Sequence, residues 1–284
     1  MRKSVVFFVA VSAIILNSCK KDIEIPAYLH IKQPAFNAVA GQGTSLHNIS
    51  YVGVYINDNL EGIYEVPVTF PILKKGNFKV QVRPFIKRLA RSGVHNYTMV
   101  AGYEEDVTLV EKLTDTVSPV FAYESNVKFL WLEDFNLGTS SLNRTQGNVD
   151  TLLVTKSRGP GVDSTFYGYI DLGGISNPFI KLETQDEFTF PTDGRDLYLE
   201  FHYKCNIPFT VGLVERGPTQ ITSLPSVTPF ETSGEWRKGY VYLNDELIFA
   251  PAGAKYRIFI GALNEDPSIP GEIFLDNFKL LYRE

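Results

Sequence analysis

The stretch Phe78-Lys79-Val80-Gln81-Val82-Arg83-Pro84-Phe85 indicates the fold most directly, because its apolar and polar side chains alternate one by one. Successive side chains of a β-strand point to opposite faces, so strict alternation predicts a strand with one buried and one solvated face. Half-buried strands of this kind are typical of antiparallel sheets, and the stretch therefore predicts β-structure around it.

Further β-rich runs lie on both sides of this strand, at residues 49–56, 63–72, 97–101, 107–110 and 117–123. Turn-forming residues separate them, such as Asn57-Asp58-Asn59 and Lys74-Lys75-Gly76-Asn77. Strands that recur at this spacing predict a small Ig-like β-sandwich over residues 26–125.

The stretch from Val52 to Ile56, Gly62, Pro67 and the run from Leu73 to Val80 together resemble PEGA-type and carboxypeptidase-regulatory-like modules. Those modules place a strand, a glycine turn, a proline and a second glycine turn before an alternating strand. The resemblance implies a non-catalytic spacer or interaction domain.

The C-terminal part of the chain continues the β pattern and offers no long 3.6-residue apolar period. Its strand-like runs are residues 127–135, 151–155, 166–172, 179–183, 187–190, 197–203, 209–215, 236–243, 256–263 and 272–282. Many strands joined by polar loops predict a two-sheet jelly roll over residues 127–284, and hence an all-β chain built of two β-sandwich modules.

The two ends of this module, Trp131-Leu132-Glu133-Asp134-Phe135 and Ile273-Phe274-Leu275-Asp276-Asn277-Phe278, resemble the first and last strands of jelly-roll carbohydrate-binding modules and galactose-binding-like domains. The resemblance implies that these two strands pair and that a structural calcium ion lies nearby, with Glu133, Asp134 and Asp276 as candidate ligands. The alternative is that these carboxylates cap strand ends or pair with Lys128 and Lys279.

Binding of a glycan requires aromatic faces for stacking and polar groups for the hydroxyls. Trp236, Tyr167, Tyr169 and Tyr240 are the candidates that the sequence predicts to be exposed. The alternative for Trp236 is packing in the core or at its rim.

The N-terminus has the anatomy of a secretory signal peptide. Arg2 and Lys3 precede the apolar run 5–16, which is too short for a transmembrane helix of about 20 residues. Residues 16–19, Leu-Asn-Ser-Cys, resemble a bacterial lipobox. The resemblance implies cleavage of residues 1–18 and attachment of diacylglycerol and a further acyl chain such as palmitate at Cys19, with residues 19–25 as the tether.

The charged residues that follow Cys19 resemble the export signals of surface lipoproteins in Bacteroidetes. We therefore expect a lipid-anchored protein of the outer membrane, facing the periplasm or the cell surface. The formal charge of −5 over 284 residues argues against a nucleic-acid partner. With Cys19 lipidated, Cys205 has no intrachain disulfide partner.

The sequence contains no G-x-S-x-G, H-E-x-x-H or phosphate-loop motif, and its four histidines lack ligand spacing. We therefore expect no enzyme and no cofactor other than the calcium ion. The predicted function is non-catalytic binding of a glycan or another envelope component through the jelly roll. The alternative is a structural subunit of a secretion, assembly or adhesin complex that docks on an outer-membrane barrel protein.

Overall fold

The computed structural model describes residues 24–89, 91–150, 152–156, 166–173, 178–191, 193–217, 220–227, 233–266 and 268–284. The predicted signal peptide and Cys19 lie outside these ranges. The described residues form strands joined by turns, with one short 3-10 helix at Asn244–Leu247, so the all-β prediction is confirmed. Among them there is no helix with the length and apolarity needed to cross a bilayer.

The strands of the N-terminal half are β1 (Ala27–Ile31), β2 (Ala35–Asn37), β3 (Tyr51–Ile56), β4 (Asn59–Glu65), β5 (Val68–Ile72), β6 (Gly76–Ile86), β7 (His95–Asn96), β8 (Tyr103–Leu109), β9 (Thr114–Val117) and β10 (Val120–Ala122). The alternating stretch at 78–85 lies in β6, where Val80 and Val82 are fully buried.

Two sheets and a strand pair enclose the N-terminal core. The larger sheet has the order β4-β3-β6-β7, with β8 also paired to β6, and the smaller has the order β5-β1-β9. Strands β2 and β10 form a separate parallel pair. The predicted run 63–72 is divided between two sheets, because the chain passes from β4 to β5 at Val66-Pro67.

The strands of the C-terminal half are β11 (Val127–Glu133), β12 (Leu142–Gly147), β13 (Leu153–Lys156), β14 (Phe166–Leu172), β15 (Phe179–Thr184), β16 (Leu197–Cys205), β17 (Thr210–Arg216), β18 (Ile221–Val227), β19 (Ser233–Tyr242), β20 (Lys255–Leu263) and β21 (Gly271–Arg283). We call β13-β14-β21-β16-β19, with β11 paired to β21, the front sheet, and β12-β15-β20-β17-β18 the back sheet.

The two terminal motifs of the C-terminal half meet in the core between these sheets. Strands β11 and β21 pair antiparallel, with Glu133 opposite Phe278, as the resemblance implied. The Phe278 ring lies 5.4 Å from Trp131 and 6.4 Å from Phe135. Phe135 also packs under Gly168 of β14, where an added Cβ would come within 2.9 Å of its ring.

The cores of the two halves are in direct contact. Tyr198, Tyr240 and Leu281 belong to the front sheet, yet their side chains pack with the buried residues of the N-terminal sandwich. In return, Leu89 of the N-terminal half packs against the C-terminal core. The N-terminal sandwich therefore covers part of the outer face of the front sheet.

We expect Phe278→Ala to lower the free energy of unfolding by about 3–5 kcal/mol, because it leaves a cavity where several aromatic rings pack. Phe249→Ala is the matched control, since Phe249 is 93% exposed, and its effect should stay within about 0.5 kcal/mol. Urea unfolding followed by tryptophan fluorescence measures both. Equal effects of the two substitutions would contradict the packing described.

Candidate functional site

Alternation along four strands of the front sheet determines which side chains point outward. Gly168 lies opposite Leu275 in the core layer, so the neighbouring pair Tyr169 and Phe274 points to the outer face. On its other side Phe274 lies opposite Lys204 of β16. The outer face therefore carries aromatic side chains from adjacent strands at one level.

We call Tyr167, Tyr169, Trp236 and Phe274 the aromatic platform. Phe274 lies at its centre, with ring centroids 5.0 Å from Tyr169, 5.6 Å from Tyr167 and 6.4 Å from Trp236. The Tyr167 and Trp236 rings are 6.1 Å apart and meet edge to face. All four side chains are half-buried, so they support one another while part of each remains accessible.

Polar groups border the aromatic platform. The Lys204 ammonium lies 4.3 Å from the centroid of the Phe274 ring, a cation–π contact. The Tyr169 hydroxyl donates a hydrogen bond of 2.8 Å to Glu272 Oε1. Burial, together with this bond and the charge of Glu272, raises the pKa of Tyr169 above its ordinary value, so its hydroxyl is protonated at neutral pH. The platform thus offers hydrogen-bond donors and acceptors beside apolar ring surfaces.

Three of the four predicted glycan contacts, Tyr167, Tyr169 and Trp236, come together in this platform. Tyr240 does not, and the prediction that it is exposed is wrong. It is 2% exposed, and its hydroxyl accepts a hydrogen bond of 2.9 Å from the backbone amide of Asn48 in the N-terminal half. The docked N-terminal sandwich covers it.

Sequence reasoning missed Phe274 and Lys204. Phe274 lies in the predicted strand run 272–282, and Lys204 directly follows the run 197–203, which the structure extends to Cys205. Strand alternation carries a usable signal for Phe274. Ile273 and Leu275 are the apolar neighbours of Phe274. If their side chains point into the core, the side chain of Phe274 points to the outer face. The pairing of β21 with both β14 and β16 is long-range, and only the structure shows it.

Next to the platform, the same sheet face carries a buried polar cluster. Glu200 of β16 is fully buried at the contact between the two halves. Its carboxylate pairs with Lys238 of β19 and accepts hydrogen bonds from the hydroxyls of Tyr97 and Tyr123 in the N-terminal half. We call these four residues and Lys279 the junction.

Both lysines of the junction bind the N-terminal half as well. Lys238 Nζ donates to the Leu46 carbonyl at 2.9 Å, and Lys279 Nζ donates to the Thr44 carbonyl at 2.6 Å. Burial, and to a lesser extent the charge of Lys238, lowers the pKa of Lys279 to about 7. Burial by itself would raise the pKa of Glu200, but the two lysines and the Tyr97 hydroxyl hold it below its ordinary value.

His202 lies between the junction and the platform, opposite Lys238 on one side and Asp276 on the other. It is 6% exposed, and its Nδ1 has no hydrogen-bond partner among the described residues. Burial, followed by the charge of Lys238, lowers the pKa of His202 to about 3. The imidazole is therefore neutral in the folded protein over the physiological range.

The carboxylates predicted as calcium ligands accept hydrogen bonds from backbone amides. Glu133 accepts hydrogen bonds from the backbone amides of Phe135 and Ser141, at 2.9 and 2.6 Å. Asp134 and Asp276 each accept one from a nearby backbone amide, that of Asn136 and that of Asn277. In the part of the chain that the structure describes, no three His, Cys, Asp or Glu side chains are grouped to hold a metal. The alternative that they order strand ends agrees with these contacts.

A polar cleft of 330 Å³ lies apart from the platform, lined by residues of both halves that include Arg83, Glu124 and Arg283. None of the predicted site residues lines it. Tyr167, Tyr169 and Trp236 therefore lie on the outer face of the front sheet and not in this cleft.

Comparison with known proteins gives structural likenesses only. No protein-family model and no curated protein sequence matches the chain. A carbohydrate-binding module of the β-sandwich superfamily, studied for its promiscuous specificity, is 13% identical, with 89% of this chain and 98% of that one covered at a TM-score of 0.41. A module solved with β-1,4-galactotriose is 15% identical, covering 53% and 94% at 0.34.

The K3 cleaved adhesin domain of Lys-gingipain from Porphyromonas gingivalis is 17% identical, with 55% of this chain and 99% of that domain covered at a TM-score of 0.37. TM-scores below 0.5 do not establish a common fold.

The low pKa of His202 predicts a pH-dependent stability. Between pH 6.5 and about 3 the unfolded chain binds a proton that the folded chain does not, so stability falls as the pH falls through this range. For one such group the slope approaches about 1.4 kcal/mol per pH unit. We expect His202→Gln to make the dependence shallower, as measured by urea unfolding at pH 6.5, 5.5 and 4.5.

His30→Gln, which removes a histidine of β1 outside the junction, is the control for this measurement. The description of His202 as a buried neutral imidazole fails if the two variants give the same slope as the unmodified chain.

Proposed function

We propose that this chain is a non-catalytic lipoprotein, anchored in the outer membrane through Cys19, that binds a glycan on the aromatic platform of its front sheet. The membrane and the glycan are its proposed partners. The observation that carries the binding proposal is the platform itself, in which four aromatic side chains from three strands meet on an open face.

The chemistry of the platform suits a sugar better than a fully apolar ligand. A pyranose ring has apolar C–H faces and a polar rim of hydroxyl groups. Ring surfaces of Trp236 and the two tyrosines provide the stacking surface, while Lys204 and Glu272 lie within reach of the rim as donor and acceptor. Since the rings pack against one another, little side-chain entropy is lost when a ligand binds.

A binding role, and not a catalytic one, is supported by the state of the carboxylates on this face. Glu272 is engaged by the Tyr169 hydroxyl, and Asp171 accepts the backbone amide of Gly173 at 2.9 Å. Glycoside hydrolysis requires an acid and a base or nucleophile placed on either side of the bond that is cleaved. Asp171 and Glu272 are both held by hydrogen bonds within the protein, which suits a site that binds a sugar without cleaving it.

The anchoring proposal rests on the sequence of the N-terminus. A positive start, an apolar run of about a dozen residues and Leu-Asn-Ser-Cys at residues 16–19 make up the features of a lipoprotein signal. One acyl chain holds a protein only marginally on a membrane, whereas two or three chains hold it stably. Lipidation would place the β-sandwiches at the membrane surface.

We expect Trp236→Ala and Tyr167→Ala each to weaken glycan binding by about tenfold or more, because each removes a stacking surface from the aromatic platform. Tyr28→Ala is the matched control, a partly exposed tyrosine on β1 that lies outside the platform. A glycan array identifies a ligand, and isothermal titration then measures its affinity for each variant. Circular dichroism checks that the variants fold.

The binding proposal is wrong if the unmodified chain binds nothing on an array of plant, host and microbial glycans. It is equally wrong if a ligand is found whose affinity is the same for Trp236→Ala, Tyr167→Ala and the control.

We expect Cys19→Ser to abolish incorporation of labelled palmitate and to remove the protein from the Triton X-114 detergent phase. The cause is loss of the only thiol that the lipobox presents for acylation. Cys205→Ser is the control, because Cys205 is buried in the C-terminal core and should not affect labelling. Retention of the label in Cys19→Ser would refute lipidation at this residue.

A further inference from the structure

One end of the N-terminal sandwich gathers exposed apolar side chains. Leu73 is 62% exposed, Leu113 60%, Val110 47% and Ile25 39%. Single exposed apolar residues are common, but a group of four on connected loops indicates a contact surface. We call these four residues the anchor-proximal end.

Backbone contacts hold these residues together. Ala27 and Ile72 form a register pair that joins β1 to β5. Leu73 directly follows Ile72, and Ile25 lies two residues before Ala27. The Leu113 amide donates to the Val110 carbonyl at 3.0 Å, and the Leu113 carbonyl accepts from the Tyr28 amide at 2.8 Å. The start of β1, the end of β5 and the turn between β8 and β9 therefore lie side by side.

The charges around this end largely neutralise one another. Lys74 pairs with Glu61, and Lys75 pairs with Glu111 at 3.2 Å. Paired charges produce little long-range electrostatic field. Binding at this end would therefore depend on the apolar side chains and not on attraction to anionic groups. Lysine stems beside apolar residues can also extend their ammonium groups toward water when the apolar tips are buried.

The position of this end along the chain identifies what it faces. The described chain begins at residue 24, directly before Ile25, and Cys19 lies five residues earlier. Five extended residues span at most about 18 Å. At the other end of β1 the chain continues to the loop whose Thr44 and Leu46 carbonyls bind the junction lysines, so the C-terminal sandwich lies at that other end.

We propose that the anchor-proximal end rests on the phospholipid bilayer, with Leu73, Val110 and Leu113 inserted among the lipid headgroups. The inference rests on the proposed lipid anchor at Cys19, which brings this end to the membrane. The N-terminal sandwich then lies next to the membrane, and the front sheet with its aromatic platform lies on the side away from it.

The test uses a chain that starts at Lys20 and carries an N-terminal hexahistidine bound to nickel-chelating lipid in phosphatidylethanolamine–phosphatidylglycerol vesicles. All buried residues of both cores lie at or after Ala27, so this chain retains both. A solvatochromic nitrobenzoxadiazole label is attached at Leu113→Cys or, as the matched control, at Leu137→Cys, which replaces a 90% exposed leucine of the C-terminal half.

On vesicles we expect the emission of the label at position 113 to shift to the blue and to be quenched by brominated lipids, while the label at position 137 shows neither change. Adding Leu73→Asp to the chain labelled at 113 should remove the shift, because it places a charge at the inserted tip. An unchanged label at position 113 on vesicle-bound protein overturns the inference, as does an equal shift at both positions.

The histidine tag replaces the acyl chains, so this result is independent of lipidation. A blue shift at position 113 together with unlabelled Cys19 in the palmitate experiment would refute the anchor and support the lipid contact. Palmitate on Cys19 with no shift at position 113 would do the reverse.

Discussion

The carboxylate of Glu200 is the point on which the arrangement of the two sandwiches depends. It is fully buried, and it is compensated by Lys238 of its own sheet and by the hydroxyls of Tyr97 and Tyr123 from the other sandwich. A buried ion pair also requires hydrogen bonds to the remaining lone pairs of the carboxylate, and the hydroxyls of Tyr97 and Tyr123 supply them when the N-terminal sandwich is docked. An apolar contact of the same area would tolerate sliding, whereas hydrogen bonds to one carboxylate do not. Lys279, bound to the Thr44 carbonyl, adds a second directional contact between the halves.

This fixed docking divides one face of the front sheet into two parts with different roles. Along β16 the outward side chains are Tyr198, Glu200, His202 and Lys204, in that order. The first three lie at or beside the contact with the N-terminal sandwich, and the fourth lies at the open aromatic platform. The N-terminal sandwich buries Tyr198, Glu200 and His202, whose polar groups would otherwise be hydrated. The aromatic platform remains accessible beside it. Because the platform is built on strands and not on loops, its ring positions are set by sheet register, which favours binding without rearrangement.

Local alternation was sufficient to predict the all-β class and much of the strand pattern, because successive side chains of a strand point to opposite faces. The requirement for aromatic stacking faces selected Tyr167, Tyr169 and Trp236 as candidates, and the structure brings them together although Trp236 is about 70 residues from the two tyrosines in sequence. The error at Tyr240 has a physical cause, since this residue faces the same way as Trp236 on β19 but lies under the other sandwich. The two halves dock through complementary surfaces whose residues are far apart in the sequence. The alternation of side chains along one strand gives no information about such contacts. The hydrogen bonds of the calcium candidates were not predicted for a related reason, because the Ser141 amide reaches Glu133 only when the loop after β11 is folded.

The most direct test of a glycan site on the aromatic platform uses the two tryptophans of the chain. Trp131 is in the C-terminal core, with its indole N–H donating to Ser141 Oγ at 2.9 Å, whereas Trp236 lies on the platform. In a ¹⁵N-labelled sample titrated with a glycan selected on an array, the indole resonance of Trp236 should move progressively to saturation while that of Trp131 stays in place. A bound glycan that leaves the Trp236 resonance unmoved would contradict the assignment of the site.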